Sequence, residues 1–479
     1  MPPVADLAAI LPELILTGLG LLLLLVAAFV DERGERAVSP YLTVAGLLVA
    51  FASLAWTPLR NRPVLGGMVH ADLFTLFFRM VLIGALLIVV LMSGRYAERR
   101  GISAGAFYAL LVFATVGALF FLDAGDAVSF YVGLETLTIP SYLLAGMLTR
   151  DARSNEAALK YFLNGAVASA ILLFGLSLLY GATGTTALAA IATRLAASGA
   201  DPLALSGLLL VLVGLGFKVS AVPFHLWAPD TYEGSPTPVT AFLSVVSKGA
   251  AFAAILRLLF TALTPLRADW SAVFAVLSLL SMIVGNVSAL HQRNLKRLLA
   301  YSSIAHAGYV MAGLAAGTAL GFQAVMFYVL VYAVMNLGAF AVVVALGEAG
   351  EEESLEGIRG LGRRNPWLAA AMTLFLLSLI GIPFFPGFWG KLYLFQATVQ
   401  AGMAWLAITI GVNSAVSVYY YYGVIHAMFV QQPEEGRAAA LHTSWGVGLG
   451  VAVTALAVLL VGLAPGGFLG WVAQAAWFR

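Results

Sequence analysis

The sequence predicts an all-α polytopic membrane protein, and three observations carry that prediction. Hydrophobic residues make up 61% of the 479 positions and charged residues only 10%, against about 25% charged in a soluble globular chain. Apolar runs long enough to cross a bilayer, about 20 residues each, recur from one end of the chain to the other. The stretches between them are short and hold most of the arginines. The net charge of +2 decides little, because the placement of charge matters more than its sum. With no cysteine in the chain, thiolate-held iron–sulfur clusters and zinc–thiolate sites are excluded, and no disulfide argument about compartment applies.

Fourteen candidate spans follow in order, near 7–30, 39–57, 72–93, 104–122, 126–148, 157–181, 204–228, 236–262, 271–290, 299–317, 320–347, 367–398, 402–430 and 443–464. The first lacks a basic leader and a small-residue cleavage site, which predicts a retained span rather than a signal peptide. Loop six, GTTALAAIATRLAASGADP, predicts a short surface helix. The acidic EAGEEESLEGIRGLGRRNP is the longest polar loop and predicts partial helix. Nothing resembles a separate soluble domain. The reading is one integral membrane domain, 1–479, made of a three-helix segment (1–103), a first repeat (104–262), a second repeat (271–430) and a C-terminal helix (443–479).

Basic residues orient such a chain. Odd-numbered loops hold Arg33, Arg36, Arg95, Arg99, Arg100, Arg150, Arg153, Arg293, Lys296, Arg297, Arg359, Arg363, Arg364 and Arg437, whereas even-numbered loops hold only Arg60, Arg62, Arg194 and Arg267. The odd loops then face the cytoplasm, and both termini face outside. An internal repeat supports the division. Span seven is interrupted at Pro223, in KVSAVPFHLWAPD, and span twelve at Pro383 and Pro386, in IGIPFFPGFWGK. The breaks are five spans apart, an odd offset, so the two five-helix units are inverted. Inverted repeats with broken helices mark ion sites in many transporters.

The chemistry is carried by lysine. Of five lysines, Lys160 and Lys296 lie beside polar loops. Lys218 sits in GLLLVLVGLGFKVSAVPF, Lys248 in VTAFLSVVSKGAAFAAIL and Lys391 in TLFLLSLIGIPFFPGFWGKLYLF. An ammonium at the bilayer centre costs roughly 3 kcal/mol or more. Lysine is the cation whose protonation burial can tune, while arginine stays charged, so buried lysines point to proton handling. Glu135, mid-way along span five, needs a partner, and Lys218 is the natural one; a static structural ion pair is the alternative. Lys218 also precedes Pro223, which frees a backbone carbonyl for water or side chains. Lys248 has Ser244 and Ser247 beside it, with snorkelling as the alternative. Lys391 is the expected counterpart of Lys218 in the second unit.

Histidine as a residue type titrates near neutral pH, so His225 and His306 suit a relay, or are hydrogen-bonded core. Tyr301, Ser302, Ser303 and Tyr309 flank His306 and suit the ordering of water, as do Tyr419 to Tyr422 with His426. An aromatic interface belt is the alternative for those tyrosines. Arg79 and Arg257 lie nearer span ends, where snorkelling accounts for them. No nucleotide, metal or nucleic-acid motif is present.

These motifs resemble a known family. FYVGLETLTIPSY, AALKYFLNGAVASAILLFGLSLLYGATGT, FKVSAVPFHLWAPDTYEGSPTPVTAFLSVVSKGAAFAAILR, GNVSALHQRNLKRLLAYSSIAHAGY and LFLLSLIGIPFFPGFWGKLYLF are similar to the antiporter-like membrane subunits of respiratory complex I, related to Mrp-type cation/proton antiporters. The opening LPELILTGLGLLLLL and the ALKYFLNGA segment favour the N type. The resemblance implies that Glu135 pairs with Lys218, that Lys248 and Lys391 continue a polar axis, and that quinone reduction elsewhere drives protons outward. It also implies a bacterial inner-membrane location. Flavin, iron–sulfur clusters and quinone would belong to partner subunits, with adjacent antiporter-like and small membrane subunits and the lipid bilayer as neighbours. One departure is visible: the family's adjacent prolines in span twelve are split here as Pro383-Phe384-Phe385-Pro386. The expected activity is that of a proton-translocating, non-redox subunit of an NADH:quinone oxidoreductase. The rivals are a stand-alone cation/proton antiporter, a hydrogenase-type assembly and a structural adaptor.

Overall fold

The computed structural model describes residues 4–59, 63–199, 201–432 and 440–478; Arg60, Arg62 and Arg437 lie outside them. Among the described residues the chain is helical throughout and carries no strand, only isolated bridges. The helices are α1 (Val4–Ala9), α2 (Leu11–Phe29), α3 (Glu32–Ser53), α4 (Leu73–Arg99), α5 (Ala104–Asp123), α6 (Ala127–Ala145), α7 (Ala152–Thr183), α8 (Leu188–Ser198), α9 (Pro202–Lys218), α10 (Trp227–Gly234) and α11 (Thr237–Phe242). There follow α12 (Lys248–Thr261), α13 (Arg267–Ala289), α14 (Leu295–Ala316), α15 (Ala319–Ala349), α16 (Leu361–Arg364), α17 (Pro366–Ile380), α18 (Pro386–Gln400), α19 (Ala404–Phe429), α20 (Trp445–Leu463) and α21 (Pro465–Ala475).

Eleven helices among the described residues are long and apolar enough to cross a bilayer, fewer than the fourteen windows. α9 and α17 are apolar but shorter, because both are first halves of broken helices. The seventh window stops at Lys218 and resumes as α10; the twelfth divides into α17 and α18. Loop six does form a helix, α8, but Leu188, Ile191 and Leu195 bury its apolar side. The acidic loop contributes only the single turn α16, and the C-terminal segment holds two helices rather than one.

Helix ends follow local chemistry. Side chains of Asp72, Asp126, Asp151, Asp201, Asn294, Thr318, Asn365 and Ser444 each accept a first-turn backbone N–H, satisfying donors that the helix leaves open. Gly317, Gly350 and Gly381 close α14, α15 and α17 in the left-handed conformation. Packing then sorts the helices. α12, α14 and α15 are buried almost throughout, whereas α2, α3 and α7 leave most of their apolar surface on the outside of the bundle. The three lysines therefore stand on or against the innermost helices.

Candidate functional site

The break after α9 sets the first ionic group. The helix ends at Lys218, and the chain turns through Val219–Leu226 before α10. Its freed backbone groups find partners: Trp227 Nε1 donates to the Phe217 carbonyl at 3.0 Å, and Val222 N–H donates to Ser281 Oγ at 2.9 Å. Trp227 also stacks on Tyr161, with ring centroids 4.4 Å apart. The Lys218 side chain, 3% exposed, donates to Thr138 Oγ1 at 2.8 Å. Glu135, one turn before Thr138 on α6, accepts instead from Ser169 on α7, whose hydroxyl also reaches Tyr131. Among the described residues no direct salt bridge joins Glu135 to Lys218, so the expected contact pair is a separated one. Both line one small cavity with Thr138, Tyr142 and Ser169, of about 10 Å³. That is about the volume one water centre requires. Glu135 is also partly exposed, at the seam of α6 and α7 on the outside of the bundle.

The second group lies at the centre. α11 passes into α12 through a π-helical turn, Leu243–Ser247, which ends at Lys248. Such turns widen the helix by one residue and recur at functional sites. Lys248, 3% exposed, donates to Ser303 Oγ at 2.6 Å and lies 5.5 Å from the centroid of the Tyr232 ring. Lys248, Ser303, His306 and Tyr332 line a cavity of about 20 Å³, room for water. Ser303 and His306 are one turn apart on α14, so both present to it. His306 Nδ1 lies 2.9 Å from the Tyr328 hydroxyl and Nε2 lies 3.4 Å from that of Tyr421, which in turn bonds Ser302.

The third group is in α18. Lys391, 7% exposed, donates to the carbonyls of Leu379 at 3.0 Å and Ile380 at 2.7 Å. These are the last carbonyls of α17, at the negative end of its dipole. The lysine thus caps the first half-helix across the break, and its ammonium sits 4.8 Å from the centroid of the Tyr309 ring. Tyr309 also accepts from Asn286, which joins Asn413 and Tyr420, and its ring meets His306 edge-on at 5.4 Å. Lys248, His306, Tyr309 and Lys391 therefore form one chain of neighbours, joined by a shared cavity and by ring contacts rather than by hydrogen bonds. Pro386 occupies the first turn of α18, where its missing N–H costs nothing.

Two expected participants stand elsewhere. Tyr301 lies off this chain with Arg297 over its ring at 5.9 Å, because it is five residues before His306 and so on another face of α14. His225, in the turn after Pro223, makes no hydrogen bond through its buried Nδ1 and, among the described residues, shares no hydrogen bond or ring contact with His306. The reading of Arg79 and Arg257 as snorkelling residues is corrected. Both are at most 2% exposed. Arg79 contacts Glu13 at 2.7 Å and Asp123 at 2.7 Å. Arg257 grips Asp72 through two nitrogens, at 2.6 and 3.0 Å, under the Trp477 ring. Burial alone would raise Asp72, but that guanidinium holds it well below the usual carboxylate range.

The arginine-rich end of the bundle opens as a polar vestibule of about 500 Å³, whose lining includes Arg100, Arg153, Glu233, Lys296 and Glu353. Lys296, in the first turn of α14 beside its polar loop, is nonetheless buried, paired with Glu353 at 3.0 Å and donating to the Ser235 carbonyl at 3.0 Å. Glu353 also accepts from Thr237 Oγ1 at 2.6 Å. Burial would raise this carboxyl, but the Lys296 ammonium and the Thr237 hydroxyl bring it below its usual range. Tyr328 and Thr138 escaped the sequence reading, as did the burial of Lys296. The spacing of Ser302, Ser303, His306 and Tyr309 on one face of α14, and the tyrosine run that holds Tyr421, signal part of this network.

Comparison with known proteins matches this architecture. The family described as NADH:quinone oxidoreductase/Mrp antiporter, TM, matches residues 124–417. The chain is 43% identical to NADH-quinone oxidoreductase subunit N 2 of Symbiobacterium thermophilum, over 98% of this chain and 96% of the other. It is 45% identical to NAD(P)H-quinone oxidoreductase subunit 2 of Synechococcus elongatus, over 96% and 89%. A chain of respiratory complex I from Thermus thermophilus superposes with a TM-score of 0.82 at 38% identity, covering 97% of this chain and 99% of that one. A chain of the Mrp complex from Dietzia sp., at 22% identity, shares the fold with a TM-score of 0.83. The match spans the helices that carry Glu135, Lys218, Lys248, His306 and Lys391, and the protein belongs to the NADH:quinone oxidoreductase/Mrp antiporter transmembrane family.

Proposed function

We propose that the chain is the proton-translocating, non-redox N-type membrane subunit of an NADH:quinone oxidoreductase. The observation that carries this reading is the row of three buried ammonium groups, Lys218, Lys248 and Lys391, each held by neutral oxygens rather than by a carboxylate. A structural ion pair would set a carboxylate against each lysine. Neutral partners leave the proton freer to move, because losing it breaks no direct contact with a carboxylate. Protons would enter at the vestibule beside Lys296, on the cytoplasmic side, and pass along Lys248, His306 and Lys391. Glu135, which shares a small cavity with Lys218 without contacting it and is partly exposed, is placed to respond to charge in a neighbouring subunit. A negative Glu135 favours a protonated Lys218, and neutralising it relaxes that hold.

In this reading both termini lie on the outer side of a bacterial inner membrane, and two inverted units meet at the central lysine. Flavin, iron–sulfur clusters and quinone reside in partner subunits. The test is purification of the tagged chain from native membranes in mild detergent, with mass spectrometry and an NADH:quinone reductase assay. Flavin and iron–sulfur partners with activity are the expected result. Small membrane partners without redox activity would move the assignment to a stand-alone antiporter.

A further inference from the structure

Outside the lysine row, at the end of the bundle away from the arginine-rich loops, α2, α4 and α5 meet around a second buried ionic group. Arg79, nearly two turns into α4, is 1% exposed; Glu13 in the first turn of α2 and Asp123 at the end of α5 are fully buried. Arg79 Nε reaches Glu13 Oε1 at 2.7 Å and Asp123 Oδ2 at 3.1 Å. Nη2 donates to that same Oδ2 at 2.7 Å, and Nη1 donates to the Ala9 carbonyl at 3.0 Å. The guanidinium is well occupied, but the carboxyls are not. Glu13 Oε2 and Asp123 Oδ1 are buried with no hydrogen-bond partner.

Two carboxyls therefore face one permanent positive charge. With both ionised, an uncompensated negative charge would sit in a dry site, at high cost. One proton removes the imbalance and supplies a donor for an unpartnered oxygen. The adjacent pair Asp72–Arg257 is neutral as a pair and leaves the net charge of the group unchanged. Beside Asp123 the chain comes to the surface. His70 is partly exposed, its backbone N–H donates to the Asp123 carbonyl at 2.7 Å, and its ring lies against Gly125. Burial first, and then Arg257, pull His70 down to about 4, so it is neutral near pH 7 and adds no positive charge to the group. Arg257 lies on α12 beyond Lys248, about 13 Å further along the axis by helical rise, which puts this group on the far side of Lys248 from the vestibule.

We propose that Glu13, Asp123 and Arg79 form a second proton-binding site, which holds one proton between its carboxyls and exchanges it with the aqueous phase at this end during turnover. The exchange rests on the reading that the assembly moves protons. The test is infrared difference spectroscopy of the intact complex under turnover, with the proton-to-electron ratio measured in vesicles, for Glu13→Gln, Asp123→Asn and Asp123→Glu. A deuterium-sensitive carboxylic-acid carbonyl band should vanish in the two amide variants and move in Asp123→Glu. The ratio should fall in the amides while electron transfer persists. A band unchanged in all three variants, or one lost with the ratio intact, would overturn the proposal. Where the amides do not assemble, Asp123→Glu decides alone, since it keeps both carboxyls. Lys218→Ala measured alongside separates the two ideas: a ratio that falls there but not in the triad variants refutes only the second site, and a ratio unmoved in both refutes proton movement through this chain.

Discussion

Lys391 shows how much depends on single atoms at the breaks. Its ammonium holds the two last carbonyls of α17, and the turn that presents them is closed by Gly381 at φ 91°. A Cβ at that position would lie 3.0 Å from Lys391 Cδ. Gly381→Ala should therefore cost roughly 1–3 kcal/mol in backbone strain and push Lys391 off its carbonyls, lowering both the thermal midpoint of the complex and its pumping. Arg79→Leu should cost more, about 3–5 kcal/mol, because it leaves Glu13 and Asp123 without their cation; the yield of assembled complex measures this. The three lysines, Glu135 and His306 were legible in the sequence because a charge inside an apolar run stands out. The partners of Arg79 and Arg257 were not, since Glu13, Asp123 and Asp72 come from helices distant in sequence and no local spacing links them.

At the level of helices, the breaks were legible and their consequences only in part. Prolines and glycines announced the interruptions after α9 and α17, but not that Trp227 and Ser281 would take up the freed backbone groups. The apolar windows understated α3, α4 and α7, whose polar ends run past the hydrophobic stretch. The π-turn before Lys248 left no trace, because it is a matter of backbone register rather than composition. Its effect is testable. Deleting Val246 should restore regular α-helix and rotate Lys248 by about 100° relative to α11, away from Ser303. The expected outcome is an assembled complex that transfers electrons with a lower proton-to-electron ratio; an unchanged ratio would mean that the turn does not set the lysine.

Across the whole molecule, the end that carries the vestibule also carries the ionic lock between Lys296 and Glu353. Glu353 is held below its unfolded value of about 4.3. Its contribution to stability is therefore complete above that pH and lost as pH falls through the lower folded value. The thermal midpoint of the native complex should drop across that acid window, and Glu353→Gln should flatten the drop. Orientation is equally accessible, because the chain has no cysteine of its own. A single cysteine replacing Arg36 should react with an impermeant thiol reagent only from the cytoplasmic side, and one replacing Met68 only from the outside.

The central claim is that the buried lysines move protons rather than merely pack, and Lys218→Ala tests it most directly. The measurement is the proton-to-electron ratio of the assembled complex in sealed vesicles, with quinone reduction and complex content determined on the same preparation. Proton relay predicts a lower ratio with the complex intact. A complex that is less stable but pumps at the native ratio would contradict the account and leave Lys218 a structural residue.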